Sequence, residues 1–302
     1  MRSFFHGLVV LLFSAGFLRS EETRDLILVA GQSNAVGFDA YASELPADPA
    51  DKSVLFWWRC GDPPPDEHDS TGARKWTTLQ PQPLGNPIPK VTASGGTASG
   101  LKRQYGNFAK PEGGFGPEMG LARSLRKQGD GPLAIIKVAF SGTSMAGDWN
   151  PGNPGDGGAC YRALVSETKA ALAEAGKQGI TLHLRAFVWV QGESDADPQL
   201  APRYEKALGG MLARLRKDLD APDFIALLGV NTRFGNGKNP NVPAVIAAQQ
   251  AIAKKDPRCI YVDTAGAETL PPNHTHFTAA GTLEIGERFA EALAEAPHTA
   301  NR

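Results

Sequence analysis

Leu26-Ile27-Leu28-Val29-Ala30-Gly31-Gln32-Ser33-Asn34 is a run of five apolar residues that stops at a glycine and turns polar at once. A continuous rather than alternating apolar run of this length reads as a strand covered on both faces. Four more such runs follow: Ala134–Phe140, Ala186–Val190, Phe224–Val230 and Ile260–Val262. Between them lie helical patterns. Tyr161–Gly176 sets Leu164, Thr168, Ala171, Leu172 and Ala175 on one face, and Tyr204–Leu219 repeats apolar residues at Leu208, Met211, Leu212 and Leu215. Val242–Lys254 and Ala279–Ala294 complete the series. Strand alternating with helix predicts an α/β fold, doubly wound around a parallel sheet of about five strands. In such sheets ligands bind beyond the carboxyl ends of the strands, so the residues just after each strand are the candidates for chemistry.

Residues 39–112 break this rhythm. They carry ten of the 23 prolines, two Gly/Ser-rich stretches and the aromatics Phe56, Trp57, Trp58 and Trp76. A long irregular segment inside a compact domain is uncommon unless it is functional. It reads as a loop insertion over the carboxyl edge of the sheet, with short strands such as Ser53–Trp58.

The composition excludes two classes. With 31 Lys+Arg against 32 Asp+Glu, the 302 residues have no basic excess to neutralise phosphates. At 41% hydrophobic content the chain is also no disordered polymer. Residues 1–20 place one arginine before the apolar run Leu8–Leu18, the pattern of a signal peptide. The expectation is therefore a secreted or periplasmic protein whose residues 21–302 form a single domain without a membrane span. Export permits one disulfide among Cys60, Cys160 and Cys259, and the sequence does not choose the pair.

The chemistry-bearing residues follow the strands. Ser33, after the first, can present its hydroxyl at the sheet edge as a nucleophile, or can cap a helix. After the second, Ser141-Gly142-Thr143-Ser144-Met145-Ala146-Gly147 nearly spells a nucleophile elbow, but Ala146 stands where its second glycine belongs. Ser144 is thus a competing nucleophile, while Gly142 can offer a backbone N–H to an oxyanion. After the third come Gln191 and Glu193: an amide donor for an oxyanion and a carboxylate to orient a histidine, or a polar turn. Near the C-terminus Asn273-His274-Thr275-His276-Phe277-Thr278 brings two histidines to a loop before the last helix. A zinc site would need a third ligand that the spacing does not supply, so no metal is expected.

Together, Gly31-Gln32-Ser33-Asn34, Gly142-Thr143, Trp189-Val190-Gln191-Gly192-Glu193 and His276-Phe277-Thr278 resemble the blocks of the sialate O-acetylesterase domain. That domain belongs to carbohydrate esterase family six of the SGNH-hydrolase superfamily. Gly114-Phe115-Gly116-Pro117-Glu118 resembles a further block, and the blocks span nearly the whole chain after residue 20. The resemblance implies a three-layer α/β/α, flavodoxin-like fold and a serine esterase that removes O-acetyl groups from carbohydrates such as acetylxylan or sialic acid, with no cofactor. By position it implies Ser33 as nucleophile, His276 as base, and the Ser33 N–H, Gly142 and Gln191 as oxyanion donors.

The chain departs from the family pattern at one place. Three residues before the histidine, where the family commonly has an aspartate, stands Asn273. An amide cannot stabilise an imidazolium by charge, so Glu193 is the expected acid of the triad. Trp57, Trp58 and Asn34 are the expected substrate contacts, the tryptophans by stacking on sugar rings. The alternative reading is a carbohydrate-binding homologue with a degenerate triad; a lipase built on Ser144 is a third.

Overall fold

A computed structural model of the protein describes residues 22–60, 72–82, 108, 112–154 and 157–296. The chain runs β1 (Glu22–Gly31), α1 (Ser33–Val36), β2 (Leu55–Arg59), β3 (Thr77–Thr78), α2 (Glu118–Lys127) and β4 (Leu133–Ala139). It continues with α3 (Ala159–Lys177), β5 (Ile180–Val190), α4 (Ala201–Asp218), β6 (Ile225–Gly229), α5 (Val242–Lys255), β7 (Cys259–Tyr261) and α6 (Ala279–Glu295). The expected signal segment lies outside the described residues. Among the described residues no helix is long and apolar enough to cross a membrane.

The strands form one sheet in the order β3-β2-β4-β1-β5-β6-β7, parallel except for β3. Its seven strands exceed the expected five by two, and both extra strands come from the segment read as an insertion. Leu55 pairs with Ala134 and Arg59 with Val138, so β2 extends the parallel sheet instead of lying above its edge. Its aromatic sequence explains why: Phe56, Trp57 and Trp58 are buried against the layers on both faces of the sheet.

Residue parity assigns each strand side chain to a layer. Leu26, Leu28 and Ala30 face the layer containing α3, α4 and α5, whereas Ile27 and Val29 face α2 and α6. That double cover is the physical reason β1 is apolar without alternation. Cys60 lies in one of these layers, Cys160 and Cys259 in the other, and all three are buried.

The sheet also fixes where a site can form. From β1 the chain crosses to β4 on one side and then back past β1 to β5 on the other. The connections leaving β1 and β5 lead to opposite faces of the sheet, towards α2 and α4, and that reversal opens a crevice at the carboxyl ends of the two strands.

Candidate active site

At the end of β1, Gly31 has φ +140°, and a Cβ there would lie 2.1 Å from the Val190 carbonyl oxygen. Only glycine allows the two strand ends to approach so closely, and the turn it permits delivers Ser33 to the first position of α1. The helix lasts four residues before Gly37, at φ +81°, closes it in a left-handed turn. The turn sends Phe38 and Asp39 back over the mouth of the crevice.

A cavity of about 320 Å³ lies there, lined by Ser33, Phe38, Gly142, Glu193, Phe234 and His276 among others. Three of the expected catalytic groups, Ser33, Gly142 and His276, thus come from the ends of β1 and β4 and from the loop before α6. No bond among the described residues takes up the Ser33 or Gly142 backbone N–H. Ser33 Oγ and the imidazole share the cavity without a hydrogen bond between them, a link that often tightens only with substrate present.

The carboxylate on His276 is not Glu193. His276 Nδ1 lies 2.6 Å from Asp39 Oδ2, and an ionised carboxylate can only accept, so the imidazole donates from Nδ1 and presents Nε2. Tyr41 donates its hydroxyl to Asp39 Oδ1 at 3.1 Å. Burial, with the adjacent Asp39 charge next in effect, pushes that phenol up to about 12. Phe38 packs on the imidazole with ring centroids 4.9 Å apart. Asp39 escaped sequence reasoning because it follows no strand; the signal lay in Gly37, which reverses the chain four residues after the serine.

Glu193 has a different job. Its Oε1 accepts from Asn34 Nδ2 at 2.7 Å and from the Asn231 N–H at 3.2 Å. Asn34 and Asn231 each also donate to the Thr275 carbonyl, at 3.1 Å in both cases. Asn34 Oδ1 in turn accepts the Phe277 N–H. The peptide on either side of His276 is therefore strapped to the ends of β1, β5 and β6. Burial drives the Glu193 carboxyl upward, against N–H bonds from Asn34 and Asn231 and the nearby His276.

Other expected contacts are also relocated. Gln191 is fully buried, and its Nε2 donates to the Thr143 carbonyl at 3.1 Å and to Asp195 Oδ2 at 2.6 Å. Both amide hydrogens are engaged, so the side chain has none left for an oxyanion. Asn34 is a buried strap, not a surface for substrate. Trp57 is buried with its Nε1–H on Glu167, and Trp58 stacks on Phe56, so neither offers a face to a sugar. Asn273 is exposed, and its backbone carbonyl accepts from Asn236. Ser144 bonds to Asp148 within its own loop. His274 turns away from His276, with Nδ1 on Thr269 Oγ1 and Nε2 3.3 Å from the Arg233 guanidinium.

The comparisons with known proteins agree with this geometry at the level of fold. The chain resembles the crystal structure of a protein from Arabidopsis thaliana at 19% identity and TM-score 0.63, over 91% of this chain and 99% of that one. It resembles NanS at 18% identity and TM-score 0.57, over 91% and 97% of the two chains. A carbohydrate acetylesterase from Xanthomonas citri matches at 13% identity and TM-score 0.57, over 90% of this chain and 56% of that one. No curated protein sequence matches the chain. A family model described as carbohydrate esterase, sialic acid-specific acetylesterase matches residues 23–295. Since that match runs from the first strand to the last helix, the chain belongs to the sialic acid-specific acetylesterase family of carbohydrate esterases.

Proposed function

We propose that this protein is a secreted serine esterase that removes O-acetyl groups from carbohydrates through an acetyl-serine intermediate. The observation that carries the reading is the Asp39–His276 contact of 2.6 Å at a cavity shared with Ser33 and Gly142. His276 Nε2 takes the Ser33 hydroxyl proton as Oγ attacks the acetyl carbonyl carbon. The carbonyl electron pair moves onto oxygen, where the Ser33 and Gly142 N–H groups stabilise it. As the tetrahedral species collapses, the C–O bond to the sugar breaks and the imidazolium protonates the departing oxygen. Water, deprotonated by the same imidazole, then attacks the acetyl-serine; acetate leaves and Ser33 regains its proton. Asp39 holds the tautomer that exposes Nε2 and stabilises the imidazolium by charge. This replaces Glu193 as acid and Gln191 as oxyanion donor in the expected constellation, and no step calls for a cofactor.

Between the two sugar classes, the anionic one has the better support. Arg59 and Arg74 both pair with Glu167, and Arg103 lies outside the described residues. Arg233 is exposed, its described side-chain contact is with His274, and its neighbour Phe234 lines the cavity. A sugar carboxylate is the chemistry that a bidentate guanidinium at such a rim recognises.

The test is acetate release from p-nitrophenyl acetate, acetylated xylan and O-acetylated sialic acid. Ser33→Ala and His276→Ala should each reduce turnover to background while the protein stays folded. A folded parent protein inert on every acetyl ester would sink the esterase reading in favour of a carbohydrate-binding role.

A further inference from the structure

The oxyanion donor Gly142 sits in the loop after β4, whose anchoring is unusual. Thr143 Oγ1 donates to the Phe140 carbonyl at 2.7 Å and accepts from Trp149 Nε1 at 2.8 Å. The Thr143 carbonyl accepts from Gln191 Nε2 at 3.1 Å. Two residues on, the Met145 and Ala146 N–H groups donate to the two oxygens of Asp195, at 2.7 and 3.2 Å. Asp195 Oδ2 also accepts from Gln191 at 2.6 Å. One carboxylate, 1% exposed and carried by the turn after β5, therefore gathers three N–H groups and ties the loop from both sides.

We propose that Asp195 is a positioning residue for the oxyanion hole, holding the Gly142 peptide in place through Met145, Ala146 and the Gln191 strap. The proposal rests on the serine-esterase reading and goes beyond it. The charge explains why an acid, not an amide, stands here. An ionised carboxylate has acceptor capacity for all three N–H groups, and bonds to it are stronger than neutral ones. An asparagine has one accepting oxygen and would turn its NH₂ against at least one of the same donors. Nothing else anchors the Met145 and Ala146 N–H groups among the described residues. Asp195 touches neither Ser33 nor His276 and does not line the cavity, so its effect on turnover must pass through the loop.

The experiment compares the parent protein with Asp195→Asn and Gln191→Met, measuring kcat, KM, thermal melting and amide exchange across residues 141–149. Loss of an oxyanion donor lowers kcat by about 10²–10³-fold, and displacement of one should reach at least about tenfold. The expected result is a lower kcat with KM within about twofold, as for a group acting in the transition state. Amide exchange should accelerate in the loop and not across the sheet. Gln191→Met, which leaves the Asp195 bonds to Met145 and Ala146 in place, should give a smaller loss of the same kind. A folded Asp195→Asn protein with unchanged kcat, or with its loss confined to KM, overturns the proposal. If Asp195→Asn does not fold, Gln191→Met decides on the same criteria; if neither folds, the role is structural and the proposal falls. Turnover by the parent and its loss in Ser33→Ala are established first, so failure of the esterase reading is distinguished from failure of this one.

Discussion

Asp39 and Glu193 divide between them what a single acid was expected to do, and substitution separates the roles. Asp39→Asn keeps the shape of the side chain but removes the charge and lets the amide select the wrong imidazole tautomer. In a serine triad that change costs about 10⁴-fold in kcat. Glu193→Gln retains an oxygen for Asn34 and Asn231, so kcat should fall by no more than about tenfold. Steady-state kinetics on p-nitrophenyl acetate decide between them, and the reverse ranking would return Glu193 to the triad. Glu193 also carries a pH signature. Its folded carboxyl is raised by burial, so between the ordinary carboxylate value and the folded value the native state holds a proton that the unfolded chain has lost. Stability from this group is therefore complete at low pH and is lost as pH rises. Glu193→Gln removes that titration, so the parent should lose ground to the variant in melting temperature from about pH 4 upward. Parallel melting curves for the two proteins would contradict it. The sequence exposed Ser33, Gly142 and His276 because each directly follows a strand or precedes a helix. It concealed Asp39, which reaches His276 only through folding, 237 positions away in the chain.

Among the elements, α1 is too short to hold its own position. Its four residues end at Val36, whose carbonyl accepts from Lys137 Nζ at 2.7 Å. Lys137, in the middle of β4, also donates to Gln82 Oε1 at 2.7 Å and pairs with Glu118 at 2.9 Å, both charged side chains being 0% exposed. Glu118 Oε1 additionally accepts the Gly116 N–H and a Gln82 Nε2 hydrogen, which draws the entrance of α2 and the segment after β3 onto α1. Glu118→Gln would strand the lysine charge in the core and should destabilise by about 3–5 kcal/mol, measured by urea unfolding. The Glu118→Leu/Lys137→Met double variant should recover much of that loss, because no buried charge then lacks a partner. An additive double variant would mean the pair is not the coupled unit described. The lysine illustrates what was legible among the elements. The β4 run announced itself as a strand despite Lys137, because its neighbours are apolar on both faces. β2 was legible as a short strand within Ser53–Trp58, but no local pattern specifies its parallel pairing with β4. β3 has only two residues and exists by virtue of β2 alone.

Across the whole molecule, net charge is −1, so no broad field draws an anionic substrate to the protein; any attraction must come from the rim of the site. Arg233 follows β6 and is exposed beside the cavity-lining Phe234, while Arg59 and Arg74 pair with Glu167. Its contact with His274 Nε2 matters to the argument. That bond requires a neutral imidazole, which orients the guanidinium without cancelling its charge. Replacing Arg233 by Gln preserves length and donor capacity but removes the charge. If the substrate carries a carboxylate, the variant should raise KM for an O-acetylated acidic sugar by about tenfold or more, because a charge-assisted bond is lost. It should leave p-nitrophenyl acetate and neutral acetylated xylan nearly unchanged, since neither has an anion to meet the guanidinium. Salt should imitate the mutation for the acidic sugar alone: an exposed charge is screened within about 10 Å at 0.1 M. Equal effects on neutral and acidic esters would mean that Arg233 supports the loop around His274 instead of choosing the substrate. The anionic-sugar reading would then fall while the esterase reading stood.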